Sequence, residues 1–130
     1  MDWKLLSDAA SQSLAAALRG TAARQAALAN NLSNVDTPGF IRSDVDFKQA
    51  LAAAIGDLRR APDLGPGRLQ DISFRARRDG ATPPRGDGNN VDIDREMAGL
   101  ARNALHHRAA SEALALRIRM LRTAIREGRH

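Results

Sequence analysis

Two stretches of the chain repeat apolar side chains at alternating steps of four and three, and they lie at its opposite ends. In the first, Leu14, Leu18, Thr21, Gln25, Leu28, Leu32 and Val35 fall on one stripe of a helix, with Thr21 and Gln25 as polar interruptions. The window from about Leu5 to Asn34 holds no proline and a single glycine, Gly20, so helix is the favoured backbone there. Ala15, Ala16, Ala17, Ala22, Ala23, Ala26, Ala27 and Ala29 flank the stripe and allow neighbouring helices to approach on more than one face. In the second stretch Ile93, Met97, Leu100, Ala104, His107, Ser111, Leu114, Ile118, Leu121 and Ile125 keep the same alternation without a break, which predicts one helix from about Asp92 to Glu127. Asp92 is placed to cap it, Asp94 and Glu96 put negative charge in its first turn, and Gly128 is placed for a left-handed C-terminal cap. At 1.5 Å per residue the two helices span about 45 and about 50 Å. Such lengths predict an elongated shape.

Between them the pattern breaks. Pro62, Gly65, Pro66, Gly67, Gly80, Pro83, Pro84, Gly86 and Gly88 interrupt the chain from about Gly56 to Asn90 and predict a largely extended, mobile connection. Leu69–Phe74 alternates well enough for one short strand, and little sheet is expected. The predicted fold is therefore all-α: an elongated, coiled-coil-like pair of terminal helices joined by an extended Pro/Gly-rich segment. Its three stretches are 1–36, 37–91 and 92–130, together forming one domain.

Composition sharpens this picture. Of 130 residues 43% are hydrophobic, but much of that is alanine, and Trp3, Phe40, Phe47 and Phe74 are the only aromatic residues, so a large self-sufficient core is not expected. The chain has no cysteine, which excludes disulfides, thiolate metal sites and cysteine nucleophiles. No apolar run approaches the roughly 20 residues of a membrane-spanning helix, and no cleavable secretion signal is evident, so a soluble chain is expected.

The whole net charge of +5 resides from Met97 onward, where Arg102, Arg108, Arg117, Arg119, Arg122, Arg126 and Arg129 oppose only Glu112 and Glu127. A basic helix can attract phosphate or an anionic membrane, and it can equally be a solvated face whose last arginines complement the helix dipole. Charge alone leaves a basic coiled-coil adaptor or nucleic-acid binder as the alternative reading, although the basic helix carries no aromatic side chain for base stacking.

Candidate chemistry is sparse. His106 and His107 are adjacent on a helix and point about 100° apart, no Asp or Glu stands four residues from either, and His130 is terminal, so neither a metal site nor an acid–base pair is indicated. Gly65-Pro66-Gly67 places a proline where a phosphate loop needs an amide, and no Gly-Lys-Ser/Thr run occurs. No catalytic residue, cofactor, metal or small-molecule substrate is predicted.

The most informative segment is Ala29-Asn30-Asn31-Leu32-Ser33-Asn34-Val35-Asp36-Thr37-Pro38-Gly39-Phe40. Asn34 can take a left-handed conformation at the helix end, and Pro38 and Gly39 suit the central positions of a type II turn from Thr37 to Phe40. Local physics alone reads this as a helix stop. The string, however, resembles the signature of the flagellar rod and hook axial proteins. Arg42–Phe47, Gly88–Met97 and Met120–Gly128 resemble, more narrowly, the B-type proximal rod proteins. The likeness covers roughly the first 50 and last 40 residues. It departs in the middle, where the family often has a Pro-Arg-His-Ile type segment and this chain reads Leu64-Gly-Pro-Gly-Arg-Leu69.

The resemblance implies a structural subunit, not an enzyme. Its partners would be further copies of itself, other rod proteins, the inner-membrane (MS) ring and rod-adaptor proteins, with no nucleic acid. It implies assembly in the periplasm and export, without a cleaved signal, through the flagellar type III apparatus. The signature turn would be Asn30, Asn31, Asn34, Thr37, Pro38, Gly39 and Phe40. The assembly seam would be Leu14, Leu18, Leu28, Leu32, Ile93, Met97, Leu100, Leu114, Ile118, Leu121 and Ile125. Phe47 and Leu51 resemble the Phe-x-x-x-hydrophobic motif read by the export gate, and two apolar side chains at this spacing also suit ordinary packing on one helical face.

Overall fold

The computed structural model describes residues 8–129. Helix α1 spans Ala9–Ser33 and begins at Asp8, whose carboxylate accepts the Ser11 amide at 2.8 Å. Helix α4 spans Ile93–Glu127, and Asp92 caps it by accepting the amides of Asp94 and Arg95. Its 35 residues make it about 52 Å long. The two helices run antiparallel: Asn31 meets Glu96, Thr21 meets Asn103 and His107, and Asp8 and Ser11 meet Arg117. No helix among the described residues is long and apolar enough to cross a membrane.

The central segment departs in part from the sequence expectation. It carries strand β1 (Ser43–Asp44), helix α2 (Phe47–Arg60), a 3-10 turn at Pro62–Leu64, the one-turn helix α3 (Gly67–Gln70) and strand β2 (Arg77–Arg78), while the rest of 71–92 has neither helix nor strand. Leu69–Phe74 is not a strand; its first two residues end α3. Strands β1 and β2 pair antiparallel, Ser43 opposite Arg78 and Asp44 opposite Arg77, and form the one small sheet among the described residues.

Helix α2 forms because Asp46 caps it, accepting the Gln49 amide at 3.1 Å, and because Phe47, Leu51, Ala54, Ile55 and Leu58 recur at helical spacing. Gly56 lies inside it, a cost of roughly 1 kcal/mol that this burial outweighs. Most of the apolar core lies here. Ala16 of α1 packs with Ala54, Leu69 and Ile72, surrounded by Leu51, Ile55, Leu58 and Phe74. Ala27 packs with Val45 and Phe47. Helix α1 thus gives one face to the central segment and another to α4, as its abundant alanine permits.

Two expected left-handed caps are absent. Asn34 has φ −109° and Gly128 φ −75°. Both helices close instead through amides folded back on the last turn, Asn34 onto the Asn31 and Leu32 carbonyls and Gly128 onto those of Ala124 and Arg126. The starts predicted before Asp8, together with Trp3 and His130, lie outside the described residues.

Candidate assembly site

The signature turn and the later Gly88–Met97 string, some fifty residues apart in sequence, meet in space. The Phe40 amide donates to the Thr37 carbonyl at 3.2 Å and Gly39 has φ 74°, the type II geometry expected of Pro38-Gly39. Asn89, fully buried, closes over this turn: its Nδ2 donates to the carbonyls of Asn34 (2.8 Å), Val35 (3.1 Å) and Thr37 (2.8 Å). The Gly39 amide donates to the Asp87 carbonyl at 2.9 Å, and Arg85 donates to the Val35 carbonyl at 2.7 Å and to that of Val91. Gly88, at φ 83°, lies so close to Gly39 that a side-chain carbon on it would stand 3.3 Å from the Gly39 Cα. The positive φ strains any other residue there, and the close approach would force Gly39 to give way.

Beneath the turn lies a buried ionic knot. Arg42, Asn31, Asn90 and Glu96 are all at most 3% exposed. Arg42 donates to Glu96 through Nε (2.5 Å) and Nη2 (3.3 Å), and to Asp79 through Nη1 (2.8 Å). Asn31 exchanges bonds with Ser43 in both directions and donates to Glu96 at 3.1 Å. Asn90 accepts the Arg42 amide at 2.6 Å and donates to the Asp79 and Thr82 carbonyls. Burial works against the Arg42 charge, but the hydrogen bonds it donates to Glu96 and Asp79 prevail and raise its pKa. Thr82 and then Arg42 draw the Asp79 carboxyl down to about 2. The knot joins α1, β1, the loop before α4 and α4 itself, and holds the exposed tip Asp36-Thr37-Pro38 in one geometry.

The predicted stripe of α1 does face α4, through Thr21, Gln25 and Leu28, but α4 does not meet it with its own apolar stripe. In the first half of α4 the buried positions are Glu96, Gly99, Asn103 and Ala110, one step round from the predicted seam. Asn103 donates to the Thr21 carbonyl and to Gln25, and His107 Nδ1 lies 2.7 Å from Thr21 Oγ1. Ile93 and Met97 of the predicted seam are 52% and 54% exposed, and Leu100 is half-buried. Leu28 is buried, whereas Leu14, Leu18, Leu32, Leu114, Ile118, Leu121 and Ile125 are half-buried. A row the sequence reading overlooked, Leu105, Leu116 and Met120, is exposed on another face of α4.

Phe47 is buried, 5% exposed, with its Cβ against Gly20 and its ring edge-on to His106 at 6.1 Å; Leu51 is half-buried in the α1–α2 core. Burial first, then the charges of Lys48, Arg24 and Arg102, lowers the His106 pKa. Among the described residues no three His, Cys, Asp or Glu side chains stand together as a metal site. The arrangement holds backbone in place; the hydroxyl that stands beside an imidazole, Thr21 against His107, is fully buried and also bonds the Ala17 and Leu18 carbonyls.

A protein-family model described as "Flagella basal body rod protein" matches residues 12–40, which run from α1 through the signature turn. Flagellar basal body rod protein FlgB of Bacillus subtilis (strain 168) is 30% identical over 124 residues, covering 91% of this chain and 94% of that protein. The chain belongs to the FlgB family. The Escherichia coli (strain K12) FlgB is 32% identical over 136 aligned positions, 93% of this chain and 96% of that protein, and the Borrelia hermsii FlgB is 38% identical over 95, 63% and 70% respectively. FlgB-family membership makes this chain a structural subunit of the flagellar basal body rod, assembling with other rod components, and not an enzyme. The nucleic-acid reading, which rested on charge alone, gives way to it.

Of the predicted turn residues, Asn31 is fully buried in the knot, Phe40 is half-buried, and Asn30, Thr37, Pro38 and Gly39 are exposed. Sequence reasoning missed Arg42, Asp79 and Glu96 as partners. Hydropathy patterns hold no signal for a salt bridge across 54 residues.

Proposed function

We propose that this chain occupies the proximal rod as one rod-type domain made of its three stretches, packing helically with copies of itself and with other rod proteins. One observation carries this reading: α4 buries polar and small groups against α1 and turns large apolar side chains outward, which a stable free monomer has no reason to do. The outward rows are the surfaces that neighbours would cover, and the clamped signature turn supplies a rigid lateral contact. Torque passing from the MS ring and its rod adaptors to the distal rod and hook would load both. A reconstruction of the isolated basal body tests this; the reading requires density for this chain in the innermost periplasmic rod layer, with Ile93 and Met97 against a neighbour.

For export by the type III apparatus we read Phe47 and Leu51 as the gate motif. Phe47 is inaccessible once α2 has docked on α1. The motif would therefore be read from the unfolded chain, and the same side chains would later serve the core. Phe47→Ala with Leu51→Ala should reduce secretion from cells with a complete export apparatus. Normal secretion with failed rod incorporation would leave these residues a packing role alone.

A further inference from the structure

A trench runs beside the first turn of α2, formed by two adjoining hollows of about 440 and about 500 Å³ that share Val45, Asp46 and Arg77 as lining. Its acids are already engaged. Asp44 holds Arg24 and Arg42, Asp79 holds Arg42 and Arg95, and Asp46 caps α2. Its remaining cations, Lys48, Arg75, Arg77 and Arg78, are exposed and have no carboxylate within 4.0 Å among the described residues.

The backbone on one wall is equally unsatisfied. Strand β1 ends at Asp44 and the chain turns away into α2, so Ser73–Ala76, which lead into β2, continue without a strand beside them. The amides of these four residues donate to no protein acceptor among the described residues. Unpaired amides next to uncompensated cations present, on one wall, the two features that an added strand carrying carboxylates would satisfy. Bases would find little to stack on, because Phe74 is half-buried and already carries the Arg19 guanidinium 5.7 Å from its ring centre.

We propose that this trench is a docking site for an acidic, extended polypeptide segment of another protein, bound as a strand along Ser73–Ala76 with its carboxylates on Arg75, Arg77, Arg78 and Lys48. The assignment rests on this chain's charge and backbone and stands independently of where the chain sits in the rod.

The test uses the full chain and a fluorescent peptide of alternating glutamate and valine, with binding followed by anisotropy. The peptide should bind, weaken as salt rises, and lose roughly tenfold or more in affinity on Arg77→Glu with Arg78→Glu, whose exposed side chains leave the circular dichroism spectrum unchanged. The same peptide with two consecutive prolines between its glutamates keeps its charge but puts proline on both edges of any strand, cannot pair, and should not bind. No binding of the acidic peptide, undiminished binding after charge reversal, or equal binding of the proline peptide would overturn the proposal. So would tighter binding of an oligonucleotide or of anionic lipid vesicles at the same arginines.

Discussion

Glu96 of α4 receives Arg42 Nε at 2.5 Å, with the Glu96 side chain wholly removed from solvent. Truncating one member of such a pair strands the other charge in a low-dielectric site, and Glu96→Ala should cost about 3 kcal/mol in urea unfolding. Arg42→Met combined with Glu96→Leu should cost less than Glu96→Ala alone, because neither charge of the pair is then left buried and Asp79 keeps Arg95. A double variant worse than the single would show that the pair contributes net stability.

Asn89 holds three carbonyls of the signature turn through one amide group. Asn89→Ala should destabilise the chain by roughly 2 kcal/mol and speed amide exchange from Asn34 to Phe40 more than in the middle of α1. Uniform acceleration across α1 would mean that the clamp serves the helix as a whole.

Gly20 is where α2 docks on α1. A side-chain carbon there would fall 2.5 Å from Phe47 Cβ, so Gly20→Ala should lower stability by about 1 to 3 kcal/mol despite improving helix propensity. Gly67, at the start of α3, has nothing within 4 Å, and Gly67→Ala should raise stability by about 0.5 kcal/mol. Thermal melts of the two variants moving in the same direction would contradict the close approach at Gly20.

The Asp79 carboxyl, held at about 2 by Thr82 and Arg42 against an ordinary 3.8, binds fewer protons in the folded chain than in the unfolded one. Its contribution is therefore complete above about pH 4 and is lost as pH falls toward 2. Asp79→Asn should flatten the acid limb of the stability profile in that window and leave its slope above pH 5 unchanged.

The sequence shows the terminal helices because their four-three spacing persists and Asp92 is a strong cap, and it shows the Thr37–Phe40 turn because Pro38 and Gly39 restrict the backbone to few alternatives. It conceals α2, because Gly56 reads as a breaker while the compensating contacts come from Ala16, Leu69 and Ile72, remote in sequence. The inward face of α4 is hidden for a related reason. Glu96, Gly99 and Asn103 are buried through specific partners, whereas periodicity ranks Ile93 and Met97 as the buried positions. Those two positions read as core in the sequence and lie at the surface in the single chain, the difference that points to neighbouring subunits.

Met97 offers the most direct measurement. It is 54% exposed in the single chain, so Met97→Asp should leave the monomer's unfolding free energy within about 0.5 kcal/mol of the parent. A neighbour packed over it in the rod would meet an unpaired carboxylate. Quantification of the chain in purified basal bodies from cells carrying only the variant should show it largely absent, although it is exported. Normal incorporation would contradict the claim that the outward row of α4 is the face on which the rod is built.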